Sequence, residues 1–141
     1  MEAKISARKM AELKRFIKSQ GFVKLAYLFG SQAGGNAGPL SDIDLAFYLD
    51  EKLGRVQALG KKVFLINRVS KILGTDRVDV VVMNNMPDSF NFEVIKHGKA
   101  IADSGIRTDV EVGIMGRYLD RRYYDQMFAS RFIGKVAREG L

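Results

Sequence analysis

The stretch from Leu25 to Leu49, LAYLFGSQAGGNAGPLSDIDLAFYL, constrains the fold of this chain more than any other. Phe22–Phe29 is apolar apart from Lys24 and carries Val23, Tyr27 and Phe29, which predicts a strand covered on both faces and ended by Gly30. Ten residues separate Ser31 from Asp42, and Gly34, Gly35, Gly38 and Pro39 make that segment a loop or at most a short helix. From Asp42 the residues alternate. Ile43, Leu45, Phe47 and Leu49 fall on one face of a second strand, and Asp42, Asp44, Ala46 and Tyr48 fall on the other, so both aspartates project the same way.

The remaining chain reads as helices around these strands. Ala3, Ala7, Met10, Leu13 and Ile17 recur at three and four residues, predicting an amphipathic helix over Glu2–Gln20 stopped by Gly21. Val56, Leu59, Val63, Ile66 and Leu73 predict a second helix, closed by Gly74. Val78, Val80 and Val82 share one face of a third strand, and Asp79 stands on the other with Arg77, Val81 and Met83. A helix capped at Asp88 or Ser89 runs to His97, and Lys99–Asp103 predicts a short edge strand. Thr108 and Glu111, three apart, resemble a capping box opening a long helix over about 108–137 through Val112, Met115, Leu119, Tyr123 and Met127. On that helix Tyr124, Phe128 and Phe132 form a second row, suited to core packing or to a partner or dimer surface. His97, the only histidine, stands beside a helix-ending glycine and is assigned no catalytic role.

Two carboxylates on alternate residues of a strand seat a hard cation such as magnesium, and their mutual repulsion raises at least one carboxyl pKa until a cation relieves it. Two ions roughly 3.5–4 Å apart would polarise a phosphoryl group, activate the attacking oxygen and neutralise a leaving pyrophosphate. Asp79 joins that set as a ligand or as acceptor of a hydroxyl proton. Gly30 lets the backbone approach a phosphate, and Ser31 adds a hydroxyl. For the end of strand one and the start of strand two to meet at one ligand, they must run antiparallel. Asp79, near the start of its own strand, then requires strand three to run parallel to strand two. A small mixed sheet with helices on one face is the expected α/β (α+β) architecture.

Gly30-Ser31, the ten-residue gap, Asp42-Ile43-Asp44 and the later Asp79 together resemble the DNA polymerase beta nucleotidyltransferase superfamily, and most closely its minimal, MNT-type members. The likeness covers residues 22–103 as a motif core within a single domain over 1–141. It implies Asp42, Asp44 and Asp79 as catalytic residues and magnesium ligands, Gly30 and Ser31 as nucleotide-phosphate contacts, and ATP as substrate. It further implies an antitoxin that transfers AMP to a tyrosine of a HEPN-type toxin partner. The loop departs from the family pattern: many relatives have arginines after the serine, where this chain has Gln32, Gly34 and Gly38. Either Lys61, Lys62 or Arg77 supplies those contacts, or the activity is reduced. The alternatives are a non-catalytic antitoxin that neutralises its partner by contact through Tyr124–Phe132, and a small-molecule (antibiotic) nucleotidyltransferase. A homo-oligomer through the C-terminal helix is a further expectation.

Composition sets the remaining bounds. At 141 residues and 47% hydrophobic content the chain is long enough for one core, and without cysteines it has neither disulfides nor thiolate chemistry. No apolar run approaches the ~18 residues of a membrane span, so a cytoplasmic protein with no membrane partner is expected. Of the formal net charge of +7, residues 1–24 contribute +5, from seven Lys/Arg against Glu2 and Glu12. A basic helix face is ordinarily a solvated one. A nucleic-acid partner would rest on that charge alone and is not required.

Overall fold

The computed structural model describes residues 5–30 and 42–139, with side chains as far as Arg131. Its elements are α1 (Ala7–Ser19), β1 (Val23–Phe29), β2 (Ile43–Leu49), α2 (Arg55–Leu73), β3 (Val78–Val82), α3 (Asp88–His97), β4 (Lys99–Asp103) and α4 (Arg107–Glu139), with a 3₁₀ turn at Met83–Asn85 after β3. The sheet order is β3-β2-β1-β4. β1 runs antiparallel to both β2 and β4, whereas β2 and β3 run parallel, as the placement of the acids requires.

The helices cover both faces of the sheet, which corrects the expectation of one covered face. Leu13 and Ile17 of α1 and Leu65 and Val69 of α2 pack on Ala26, Leu28, Leu45, Phe47 and Val80. On the opposite face Leu25, Tyr27, Ala46 and Met83 meet Val94 of α3 and Ile114 of α4. The unbroken apolar run of β1 foretold this, because a strand with one wet face alternates. β2 alternates more strongly because its second face is covered only around Ala46.

Three helix assignments shift. α1 begins at Ala7, not Glu2: Ser6 is extended and its hydroxyl accepts from Lys9 N at 3.2 Å, a side-chain cap that ends helical backbone on its N-terminal side. α2 buries Ala58, Leu65, Val69 and Leu73, while Val56, Leu59 and Val63 of the expected stripe are exposed. α4 seats through Val110 and Ile114, with Tyr118 stacked on Phe92 at 4.2 Å between ring centroids, and leaves Val112, Met115, Leu119 and Tyr123 in solvent. Apolar residues run most of the way round α2 and α4, so periodicity alone allows more than one buried stripe.

The start of α4 also differs from the Thr108/Glu111 capping box. Asp103 Oδ1 accepts from Gly105 N, Ile106 N and Arg107 N at 2.7–3.2 Å. Glu111 is thereby released to point inward, where it accepts the Tyr27 hydroxyl and, at 2.8 Å, Arg107 Nε. Tyr27 is fully buried at the centre of β1. Burial, and next the hydrogen bond to Glu111, push its phenol pKa up. Tyr27→Phe removes one donor from a half-buried carboxylate and should cost about 1–3 kcal/mol, measured by urea denaturation.

Candidate active site

The site is assembled across three adjacent strands. Phe29, at the end of β1, is the Cα partner of Asp44 on β2, and Asp44 is in turn the Cα partner of Asp79 on β3. The β1 turn, Asp44 and Asp79 therefore lie in one row along the hydrogen-bonding direction. Adjacent strands are about 4.8 Å apart, so the two carboxylates are immediate neighbours. Ile43 N donates to Arg77 O at 2.9 Å, which sets the register that puts Asp44 opposite Asp79.

Gly30 follows β1 with φ +73°, a conformation that L side chains rarely adopt. A Cβ at Gly30 would overlap the Oδ2 atom of Asp44. Glycine is required here twice over, for the turn and for room beside the carboxylate. Ser31, expected as the second phosphate contact, lies outside the described residues together with the loop to Ser41.

Asp42 stands just before β2, exposed, with its Oδ1 3.7 Å from Arg77 Nη1. Arg77 thus brings a positive charge to the site. Lys61 lies over the Phe22 ring at 4.6 Å, beside the beginning of β1, and Lys62 lines a groove with Val82 and Asn85 beyond the end of β3. Both lysines belong to the far end of the sheet.

The electrostatics show Asp79 and Asp42 acting on Asp44. The Asp44 carboxyl is raised above the usual carboxylate pKa, first by burial, then by repulsion from Asp79 and from Asp42. Among the described residues no three carboxylate or imidazole groups already converge on one point. The donor chemistry nevertheless fits a hard divalent cation: all three groups are oxygen ligands, and Asp44 is destabilised by charge that a cation would neutralise.

The sequence profile of the family described as polymerase beta, nucleotidyltransferase, matches residues 11–105, which span most of α1 through β4. The chain belongs to this nucleotidyltransferase family. Its match contains Gly30, Asp42, Asp44 and Asp79 and ends before α4. Comparison with curated proteins finds no relative.

Solved structures extend the likeness of this nucleotidyltransferase to α4. It is similar to a chain of a toxin–antitoxin complex crystallised with AMP-PNP, with TM-score 0.65, 22% identity, and coverage of 89% of this chain and 97% of that one. A chain of the toxin–antitoxin pair MntA-HepT matches with TM-score 0.63 at 18% identity, over 91% and 99% of the two chains. A third match is a chain of the complex between a tri-AMPylated Shewanella oneidensis HEPN toxin and an MNT antitoxin, with TM-score 0.59, 20% identity, and coverage of 89% and 94%. At these identities the likeness is one of fold. Among the described residues, no helix is long and apolar enough to cross a membrane.

Proposed function

We propose that this nucleotidyltransferase is an antitoxin that moves AMP from ATP to a hydroxyl, namely a tyrosine of a HEPN-type toxin. The observation that carries the reading is the row formed by the Gly30 turn, Asp44 and Asp79, in a chain of this family. The neighbours crystallised with AMP-PNP and with a tri-AMPylated HEPN toxin support the choice of nucleotide and acceptor.

In the proposed reaction the acceptor hydroxyl oxygen attacks the α-phosphorus of ATP, the α–β phosphoanhydride bond breaks and pyrophosphate leaves. Magnesium, held by Asp42, Asp44 and Asp79, would supply Lewis-acid polarisation of the phosphates. Gly30 keeps the backbone clear of the Asp44 carboxylate and gives the triphosphate room to approach. Asp79, more exposed than Asp44 and across from it, takes the hydroxyl proton. Arg77, beside Asp42, would offer its guanidinium to the phosphates of the nucleotide. Purified chain mixed with a HEPN-type toxin as candidate partner, ATP and magnesium should yield partner protein heavier by AMP units. Unmodified partner in that mixture would refute the transfer.

Contact alone could also neutralise a partner, and α4 favours keeping that reading in view. Tyr124 and Phe128 are 67% and 74% exposed on the stretch of α4 that follows Tyr118, the residue stacked on Phe92. Large aromatics on a projecting helix are the usual anchors of a protein interface. Tyr124→Ala with Phe128→Ala should weaken partner binding by at least about tenfold in a titration, and leave the melting temperature of the isolated chain unchanged. Unaltered affinity would exclude this face.

A further inference from the structure

The fold sorts the charge of this chain by layer. α1 carries Arg8, Lys9, Lys14, Arg15 and Lys18 against Glu12, and α2 carries Arg55, Lys61, Lys62, Arg68 and Lys71 against no acid. Ten cations and one anion give this pair of helices a net +9 where the whole chain has +7, so the rest of the sequence is net −2. Both helices pack on the same face of the sheet, through Leu13 and Ile17 of α1 and Leu65 and Val69 of α2. Ala46 belongs to the opposite face, under α3 and α4, and Asp44, two residues before it on β2, shares that side. The basic layer is therefore on the back of the sheet from the aspartate row.

α1 and α2 meet along a seam. Lys9 Nζ donates to Leu73 O at 2.9 Å, and Phe16 and Phe64 lie with ring centroids 6.1 Å apart, so the two helices run antiparallel. Arg68 stands over both rings, at 5.1 and 5.9 Å, and Lys61 stands over Phe22 at 4.6 Å. A guanidinium held by rings and not by a carboxylate keeps its N–H fork uncommitted, ready for a bidentate acceptor such as a phosphate. Among the described residues the one ion pair made by either helix is Arg8 with Glu12, at 3.9 Å. Lys14, Arg15, Lys18, Arg68 and Lys71 are all exposed.

A field of one sign, spread over two helices of which α2 alone is about 28 Å long, attracts a polyanion and repels a second copy of this chain. Docking of an acidic protein or an anionic lipid surface adds apolar contact to charge. Among the described residues α1 exposes no large apolar side chain. Those of α2, Val56, Leu59 and Val63, stand apart from the seam: Leu59 lines a groove with Val82 and Met86 at the β3 edge, whereas Phe64 and Arg68 face α1. Single strands bind by stacking bases on open aromatic rings. The rings of this seam are partly buried, and cations lie over them. The occupant that fits is a double helix, whose phosphates are closely spaced and need no base contact to be bound.

We propose that α1 and the flank of α2 facing it bind double-helical nucleic acid through its phosphates, without reading sequence, with Arg68 at the centre of the contact. The test is fluorescence anisotropy of a labelled DNA duplex of about 20 base pairs, titrated with the full chain in EDTA at salt from about 50 to about 200 mM. The logarithm of the affinity should fall against the logarithm of salt with a slope of about −4.5, the release of counterions from about five phosphates. Arg15→Gln with Lys18→Gln, at exposed positions, should flatten that slope by about 2 and leave the melting temperature unchanged; Arg68→Ala should flatten it by about 1. Arg55→Gln with Lys62→Gln removes the same charge from the other flank and should have the smaller effect. The proposal is overturned by a slope shallower than about −2, or by equal losses from the two double variants. It is equally overturned if a single strand of the same length binds more tightly, or if polyglutamate or phosphatidylglycerol vesicles displace the duplex as effectively as unlabelled duplex does.

Discussion

Asp44→Asn should lower AMP transfer by on the order of 10³-fold and, in the same preparation, raise the melting temperature at pH 7 without magnesium. The loss of rate follows from removing the central carboxylate of the row, since metal-assisted charge neutralisation is worth several kcal/mol in the transition state. The gain in stability follows from the sign of the Asp44 shift. Burial first, and then Asp79 and Asp42, raise its folded-state pKa. The folded chain therefore binds that proton more tightly than the unfolded chain, and ionisation works against folding. Stability linked to this group is fully present below the ordinary carboxylate pKa of about 3.9 and is lost as pH rises through the raised folded value. Asparagine carries no such penalty. The advantage of the variant should shrink as pH falls toward 4, and magnesium should raise the melting temperature of the native chain only. A variant as active as the native chain, or less stable at pH 7, would remove Asp44 from the site.

Gly30→Ala should be the most damaging change that leaves every charge in place. The left-handed backbone at Gly30 costs an L residue about 1–2 kcal/mol, and the new methyl group would overlap the Asp44 carboxylate. Either the turn or the carboxylate must move. A shift of about 1 Å in a reacting group is enough for a rate loss on the order of 10²-fold. Single-turnover transfer measured beside a denaturation curve separates the two consequences: transfer should fall much further than stability. If transfer falls only as far as the folded fraction does, the close approach of Gly30 to Asp44 has no role in the chemistry.

Much of this arrangement is legible in the sequence because the signals are local. Alternation from Ile43 to Leu49 put Asp42 and Asp44 on one face, and the demand that Gly30, Asp44 and Asp79 share one ligand set the directions of three strands. The β1–β2 and β2–β3 pairings have those directions. The polarity of the site is less legible. Arg77 lies beside Asp42 through the register between Ile43 and Val78, a contact between segments 35 residues apart. Lys61 and Lys62, equally basic, are carried by α2 to the other end of the sheet. Asn91 was missed in the sequence altogether. A polar residue between Phe90 and Phe92 was the available signal, and it acquires meaning only when α3 closes over Met83.

The sequence by itself determined the strands, the glycine turn and the shared face of the aspartates. Those depend on period-two alternation and on backbone conformations that each residue type allows or forbids. Tertiary structure decided which stripes of α2 and α4 are buried, that both faces of the sheet are covered, and that Asp103 caps α4 while Glu111 turns inward to Tyr27. Burial and pairing of that kind depend on what the fold brings alongside, and on α2 and α4 the apolar residues are too evenly spread for the chain to choose a face before the sheet is there to meet it.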